Sequence, residues 1–480
     1  MLFTAKYVIP VTSPYIEDGA VLVRGDAIED VGPAEFLKAK YPEEEVRDFG
    51  RAALMPGFVD VHTHLGYTVL RGLFDDLPYA EWKREVLRRE PLFEADDWKA
   101  SARLGALEAV ASGVTTIADI TSTGCSVTAA DEIGLRARIY DEVLTTRKEH
   151  AEAVVSSGIA DIARWREEHP SNRLSFGLAP GPIYACHPKV FQELAAYANE
   201  TGTPLAMHLA GSNEEADFIR YGSSPFAVHT SEYEHHLLSR AFPPWLPAGV
   251  SPVKYIVNWD ILDVPEMLAV HCVHVDDEDI QILKSRDVAV AYCPRINAKL
   301  SMGFAPLIKF LGAGLRVGIG TDSPAAVDTI DVIDEIKTGL MITRATSPSR
   351  KIRLESARML RMATIDAARC LRMEDSIGSL EPGKKADIIA VDLHNSHQNP
   401  TSNPESAVIY TANQDNVMMT MVDGKILYDD FVHVSGVDRD AIVRDARELR
   451  GRISHRVDDA ELIEELKKRV DEDRRERFER

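Results

Sequence analysis

Basic residues are scarce in this 480-residue chain, which has 55 Lys and Arg against 76 Asp and Glu, a formal net charge of −21. Nucleic acids and anionic membranes need a positive protein surface, so this balance argues against both as partners. The sequence also lacks an apolar run near the roughly 18 residues that cross a bilayer. Its first ten residues hold no apolar stretch typical of a signal peptide. We expect a cytoplasmic protein with a small-molecule substrate.

Cysteine is infrequent as well. The five cysteines are scattered and never spaced as CxxC. We therefore expect neither a disulfide framework nor a structural zinc knuckle. Hydrophobic residues make up 45% and charged residues 27% of the chain. Both values are ordinary for a folded globular protein and exclude disorder over the whole chain.

Apolar strand-like runs alternate with segments of helical period through the middle of the chain. The eight candidate strands are 58–65, 115–120, 136–144, 173–180, 204–210, 267–275, 287–294 and 315–323. Eight βα units in succession predict an α/β fold, a closed (β/α)₈ TIM barrel. An open doubly wound sheet is the competing fold, but it usually has a glycine-rich GxGxxG turn after its first strand. Here the first strand is followed by Leu65-Gly66-Tyr67.

Shorter β-like runs flank the barrel region on both sides. We predict that residues 1–53 and 379–435 form one small β-sandwich domain, because the second segment contains a hairpin with Asp423-Gly424 at its turn. Residues 54–378 form the barrel. Residues 436–480 are helix-forming and highly charged, which predicts a solvated helical extension.

Ionisable side chains recur at the ends of the predicted strands. His62 and His64 are two residues apart in the first strand, so their side chains share a face. His208 ends the fifth strand, His271 lies in the sixth, and Asp322 lies at the end of the eighth. Separate hydrogen-bonded core groups are the alternative, but buried ionisable groups are costly unless they are paired or bind a metal. Their convergence at one mouth of a barrel predicts a site for a divalent metal ion.

Several stretches resemble the amidohydrolase superfamily, in particular its branch of triazine hydrolases and cytosine, guanine and adenosine-type deaminases. They are Arg71-Gly72 and the segments 54–64 (LMPGFVDVHTH), 112–116 (SGVTT), 208–210 (HLA), 271–274 (HCVH), 320–322 (GTD) and 377–387 (IGSLEPGKKAD). The resemblance implies a barrel with a flanking β-sandwich, a homo-oligomer and one divalent metal ion. Zinc is the first expectation for this ion and iron the second. The resemblance also implies the metal ligands His62, His64, His208 and Asp322.

The same resemblance implies hydrolysis of a C–N bond in a small nitrogen-rich, heterocyclic molecule, with release of ammonia or an amine. Asp322 would move the proton of the attacking water, and His271 would contact that water or the substrate. Tyr292, Trp82 and Arg147 are further candidates for binding substrate.

Two positions depart from the family pattern. Deaminases of this branch usually have Glu three residues after the strand-five histidine, where this chain has Gly211, and commonly have His where it has Tyr292. Glu214 and Glu215 follow Gly211, and we expect them to begin a helix. The departures leave open a dechlorinating or amide-type hydrolase on the same scaffold, and also an inactive metal-binding homologue. If the protein is a deaminase, a Gly211→Glu substitution should raise its deaminase activity.

Overall fold

The computed structural model describes residues 1–222, 247–347 and 354–454. The strands are β1 Leu2–Val8, β2 Ile16–Arg24, β3 Ala27–Pro33, β4 Val46–Asp48, β5 Ala52–Pro56, β6 Phe58–Thr63, β7 Val114–Thr121, β8 Arg136–Val143, β9 Leu174–Pro180, β10 Leu205–Leu209, β11 Met267–His271, β12 Ala289–Tyr292, β13 Arg316–Ile319, β14 Ile388–Asp392, β15 Val417–Val422, β16 Lys425–Asp429 and β17 Val432–His433.

The α-helices are α1 Ala34–Lys40, α2 Tyr79–Arg89, α3 Ala95–Ala111, α4 Cys125–Ile133, α5 Ala151–Glu168, α6 Pro188–Thr201, α7 Asn213–Tyr221, α8 Pro252–Val257, α9 Asp277–Ser285, α10 Pro294–Lys299, α11 Leu307–Ala313, α12 Pro324–Val327, α13 Val332–Thr346, α14 Ser356–Met362, α15 Ile365–Cys370, α16 Pro404–Thr411 and α17 Arg439–Ser454. Short 3₁₀ helices occur at Leu65–Leu70, Glu90–Leu92, Lys148–His150, Ile183–Ala185, Ser396–Gln398 and Gln414–Asn416.

Strands β6 to β13 form an eight-stranded parallel sheet in chain order. Its two edge strands meet through a parallel bridge between Thr63 and Asp322, and the Asp322 N–H donates to the His62 carbonyl at 2.8 Å. Each of the eight predicted strands corresponds to one of these strands, so the predicted barrel is confirmed. The carboxyl ends of all eight strands face the same mouth, which is where the predicted site lies.

The remaining strands form a separate sheet in the order β17-β16-β15-β14-β5-β1-β2-β3, with β4 paired to β1. Strand β5, from the N-terminal segment, pairs antiparallel with β14 from the C-terminal segment. The two ends of the chain therefore build one flanking unit around a shared apolar core, as the sequence predicts. Hydrogen bonding joins all nine strands into a single sheet.

The chain passes from this sheet into the barrel at Gly57, between β5 and β6. A Cβ atom at this position would lie 2.1 Å from Thr115 Cγ2, so no other residue fits without displacing β7. Below the barrel, the buried Arg136 guanidinium donates to Asp387 at 2.9 Å and to Asp423 at 3.0 Å. These contacts fix the flanking sheet against the amino-terminal end of the barrel, opposite the site.

Part of the predicted charged extension is a helix, α17. Its residues Ala446, Leu449 and Ile453 are buried, and the Arg450 guanidinium donates to the Val69 carbonyl at 2.7 Å. This helix therefore packs on the barrel instead of standing free in solvent, and residues 455–480 of the extension lie outside the described residues. No helix in the described segments has the length and apolarity needed to cross a membrane.

Candidate active site

Five side chains predicted from separate parts of the sequence converge at the carboxyl end of the barrel. The Nε2 atoms of His64 and His208 lie 3.3 Å apart. Asp322 Oδ2 lies 3.4 Å from His62 Nε2 and 3.6 Å from His271 Nε2. Ligand atoms of His62, His64 and His208 are all within 4.8 Å of one another.

Backbone conformation contributes to this convergence. His271 and Asp322 both have left-handed φ values, 74° and 67° respectively. Non-glycine residues seldom adopt this region, and where they do the surrounding structure must hold them there. Two of the five side chains therefore reach the site through strained positions at the ends of their strands, which is common at functional sites.

A layer of buried carboxylates holds the strand ends in place. Asp60 accepts hydrogen bonds from Thr321 N at 3.0 Å and from Thr321 Oγ1 at 2.6 Å. Asp119 accepts from Leu65 N at 2.7 Å and from Thr63 Oγ1 at 2.8 Å. These bonds tie β6 to β13 and to β7 immediately around His62 and His64, so the two imidazoles are fixed relative to Asp322.

Burial favours the neutral form of His64, His208 and His271. It lowers the pKa of His64 to about 3 and that of His271 to about 4, and it lowers the pKa of His208 well below its ordinary value. Nearby His62 adds to the effect at all three. The pKa of Asp322 is well below its usual range because the surrounding imidazoles outweigh the opposite effect of its burial. At neutral pH the cluster thus offers the neutral imidazoles of His64, His208 and His271 and the carboxylate of Asp322.

This donor set fits a divalent metal ion. His64 Nδ1 lies 2.9 Å from the Ile120 carbonyl, so a proton on Nδ1 leaves the lone pair of Nε2 free to face His208. The buried atoms His62 Nε2 and Asp322 Oδ2 have no hydrogen-bond partner in the described part of the chain. Neutral imidazoles and a carboxylate, each with a free acceptor atom and held by neighbouring groups, are the ligands that zinc and similar ions take.

Comparison with known protein families identifies the family of this chain. The Amidohydrolase family model matches residues 53–427. The chain belongs to the amidohydrolase family. A relative from Moorella thermoacetica, named 5-methylthioadenosine/S-adenosylhomocysteine deaminase, is 32% identical over 88% of this chain and 92% of its own length. A relative of the same name from Desulforudis audaxviator is 32% identical over 95% of this chain and 100% of its own.

Solved structures of amidohydrolase type share the fold. A zinc-bound adenosine deaminase from Xanthomonas campestris superposes with a TM-score of 0.81 at 25% identity, over 94% of this chain and 98% of that one. Atrazine chlorohydrolase from Arthrobacter aurescens, also complexed with zinc, gives a TM-score of 0.79 at 23% identity, over 94% and 99% of the two chains. The protein is therefore a metal-dependent hydrolase that acts on carbon–nitrogen bonds, which confirms the predicted enzyme class.

One predicted substrate contact of this amidohydrolase needs correction. The Tyr292 hydroxyl lies 3.2 Å from Thr343 Oγ1 on α13, and its ring packs among the residues between barrel and helices. Side chains alternate along a strand, so Ala291 and Cys293 face the barrel interior while Tyr292 faces outward. Cys293 is the residue that approaches the site, with ligand atoms of His271, Asp322 and Cys293 within 4.8 Å of one another.

Trp82 and Arg147, the other two residues predicted to bind substrate, lie in different surroundings. Trp82 is buried on α2, and its indole N–H donates to the Ala325 carbonyl at 3.1 Å. It therefore packs on α12, which begins two residues after Asp322. Arg147 is exposed on the segment after β8, and among the described residues its side chain has no contact with the cluster.

Gly211 is closely surrounded in this amidohydrolase. A Cβ atom there would lie 2.9 Å from His271 Cδ2 and 3.3 Å from Met302 Cε. Glu215 lies in the first turn of α7, as expected, and its carboxylate turns back to accept hydrogen bonds from Ala210 N at 3.1 Å and Gly211 N at 3.0 Å. Burial raises the pKa of Glu215 to about 7.

Three residues that were not predicted from the sequence lie near the site. Asn297 on α10 is buried and interacts with His271, whose pKa it raises against the effect of burial. Glu142, the second-last residue of β8, lines a cleft beside His64. Cys293, which follows Tyr292 at the end of β12, is the third. Strand alternation from Ala291 could have placed Cys293 inward, whereas neither Asn297 nor Glu142 belongs to a motif that marks it.

Proposed function

We propose that this amidohydrolase is a zinc-dependent aminohydrolase that removes the 6-amino group of an adenine nucleoside. The observation that carries the proposal is the convergence of His62, His64, His208 and Asp322 in a chain related over nearly its full length to the methylthioadenosine/S-adenosylhomocysteine deaminases. In the reaction, the C6–N bond breaks, a C6–O bond forms with oxygen from water, and ammonia leaves.

In this proposal the four residues of the convergence hold one zinc ion. Their three imidazoles and single carboxylate would supply four ligands, and a solvent molecule would be the fifth at an open catalytic site. When bound, zinc lowers the pKa of a water molecule so that hydroxide is available near neutral pH.

Asp322 moves the proton in this mechanism. Its Oδ1 accepts a hydrogen bond from the Ser323 N–H at 2.6 Å, and its Oδ2 faces the imidazoles of His62 and His271. Oδ2 can therefore accept a proton from the attacking water and deliver it to the departing amino group. General acid–base transfer by a positioned carboxylate is worth about 10²- to 10⁴-fold in rate.

His271 orients the reacting oxygen. Its Nε2 lies 3.6 Å from Asp322 Oδ2, so both groups can contact the same reacting oxygen. An N–H donor there stabilises the negative charge that develops on oxygen during the attack. Asn297 acts on this imidazole, and Trp82 packs on α12, the helix that follows Asp322 in the chain.

Gly211 favours a second candidate function. Glycine cannot transfer a proton to a ring nitrogen, and the Glu215 carboxylate is occupied by two backbone N–H groups. A substrate with a better leaving group, such as a chlorinated triazine, needs no ring protonation. Hydrolytic displacement of that group by the same residues is therefore the alternative.

Ammonia release distinguishes the two functions. We expect the zinc-loaded enzyme to release ammonia from adenosine or 5′-methylthioadenosine, with the nucleoside absorbance shifting to that of the 6-oxo product. A His208→Ala variant purified in parallel should release none, which excludes a contaminating deaminase. Chloride release from atrazine without any ammonia from nucleosides would contradict the deaminase and support the alternative.

A further inference from the structure

The last helix in the described part of the chain, α17, packs on the segment that follows His64. The Nη1 atom of Arg450 donates to the Val69 carbonyl at 2.7 Å and to the Arg71 carbonyl at 2.6 Å. Both carbonyls lie at the end of the 3₁₀ helix Leu65–Leu70, which begins directly after His64. Carbonyls at the end of a helix lack partners within it, and a basic side chain can supply the missing donor. One side chain of the C-terminal extension therefore completes the hydrogen bonding of this segment.

Apolar contacts and a second basic residue hold α17 in the same position. Leu449 and Ile453 are buried in one apolar cluster with Val69. The Arg452 guanidinium pairs with Asp97, which lies in the first turn of α3. The position of α17 on the barrel is therefore fixed by buried apolar side chains as well as by the two arginines.

At its amino-terminal end, the segment held by α17 is bound to the backbone around His64. The Tyr67 N–H donates to the His64 carbonyl at 3.1 Å, and the centroids of the two rings lie 5.9 Å apart. The Leu65 N–H donates to Asp119 Oδ2 at 2.7 Å. A displacement of the 3₁₀ helix would therefore move the backbone of His64 and the ring packed beside it.

At its carboxyl-terminal end, the same segment is bound to the helix that follows Asp322. The Gly72 N–H donates to Asp328 Oδ1 at 3.1 Å, and Asp328 is the residue directly after α12. The segment 65–72 thus connects the chain after His64 with the chain after Asp322, and α17 packs against this connection.

We propose that α17 stabilises the metal centre, and that Arg450 is a positioning residue that holds the segment 65–72 so that His64 and Asp322 keep their separation. The inference rests on the zinc ion of the proposed function, but it is independent of the substrate. Groups that orient metal ligands without touching the metal contribute about 10- to 100-fold to metal affinity or activity. Because Arg450 acts through backbone carbonyls, we expect an effect near the lower end of this range.

Arg450→Ala tests this role through zinc affinity. The variant keeps the apolar side chains of α17 but loses both bonds to the carbonyls, so the segment 65–72 should open locally. We expect the zinc dissociation constant of the full-length enzyme, measured by competition with a chelator, to rise about tenfold. Arg450→Lys should stay within about threefold of the wild type, because an ammonium can still donate to these carbonyls.

Hydrogen exchange separates positioning from a general loss of stability. In zinc-loaded Arg450→Ala, the amides of residues 65–72 should exchange faster, whereas those of β9 and β10 should exchange as in the wild type. Arg447→Ala is the matched control, because Arg447 is exposed on the same helix. It should change neither the zinc affinity nor the exchange.

Thermodynamic linkage supplies a test that needs no variant. If docked α17 favours zinc binding, bound zinc must favour docked α17 by the same factor. Removal of zinc from the wild type should therefore speed the exchange of amides in residues 439–454. This measurement decides if Arg450→Ala does not fold.

Four results would overturn the inference. They are equal zinc affinity in Arg450→Ala and Arg447→Ala, faster exchange throughout the barrel of Arg450→Ala, exchange of α17 that zinc does not change, and a wild type that binds no zinc.

Ammonia release from adenosine separates this inference from the proposed function. Ammonia release by the wild type, together with equal zinc affinity in the two alanine variants, would leave the deaminase in place and remove the role of Arg450. The expected zinc affinities without ammonia release from any nucleoside would keep the role of Arg450 and remove the deaminase.

Discussion

Asp322→Asn is expected to lower kcat by about 10³-fold or more. The amide fits the same space and still accepts the Ser323 N–H through its oxygen, a bond of 2.6 Å in the wild type. However, an amide cannot accept and deliver a proton, and its NH₂ group would face His62 Nε2, 3.4 Å from the position of Oδ2. The loss therefore combines the proton transfer, worth about 10²- to 10⁴-fold, with a weakened metal ligand.

Steady-state kinetics and metal analysis of the same preparations separate these contributions. Asp277→Asn is the control, since Asp277 is exposed on α9 and pairs with Lys309 at the surface; it should retain wild-type kcat. An Asp322→Asn enzyme with more than a tenth of wild-type kcat would contradict the role assigned to this carboxylate.

Substitution of Gly211 is the second change with a large expected effect. From the sequence alone, Gly211→Glu should raise deaminase activity by restoring a proton donor. The structure reverses this expectation, because even the Cβ atom would lie 2.9 Å from His271 Cδ2. Displacing a reacting group by about 1 Å can cost about 10²-fold in rate. We expect both Gly211→Ala and Gly211→Glu to lower kcat by 10- to 100-fold.

Gly312→Ala provides the matched control, since Gly312 is exposed on α11 and a Cβ atom there meets nothing within 4 Å. Its kcat should equal that of the wild type. Higher activity in Gly211→Glu than in Gly211→Ala, with equal metal content, would show that the added carboxylate transfers a proton and that His271 can move aside.

The barrel was predictable because its strands are buried on both faces and appear as continuous apolar runs between helical segments. The predicted limits extend past several real strand ends; the strand predicted over 315–323 ends at Ile319. The small sheet was predictable in outline from the β-like runs at both ends of the chain. That β5 joins β14 in one continuous sheet is a long-range pairing that no local pattern encodes.

The convergence of the five side chains was predictable because parallel strands bring their carboxyl ends together. The error at Tyr292 has a specific cause: a shift of one residue along a strand reverses the face of every side chain. Tyr292 was predicted to contact substrate because it stands where the family commonly has His. Side-chain alternation along β12, counted from Ala291, instead directs Cys293 towards the site. The left-handed conformations of His271 and Asp322 depend on tertiary contacts and could not be read from the sequence.

The metal centre is the central claim, and anomalous diffraction tests it most directly. Crystals of the zinc-loaded enzyme should give one anomalous peak per chain at the zinc absorption edge, within about 2.0–2.2 Å of His62 Nε2, His64 Nε2, His208 Nε2 and a carboxylate oxygen of Asp322. The peak should be absent from His208→Ala crystals grown with the same metal. A wild-type map with no peak among these four side chains, or with the ion bound elsewhere, would contradict the account.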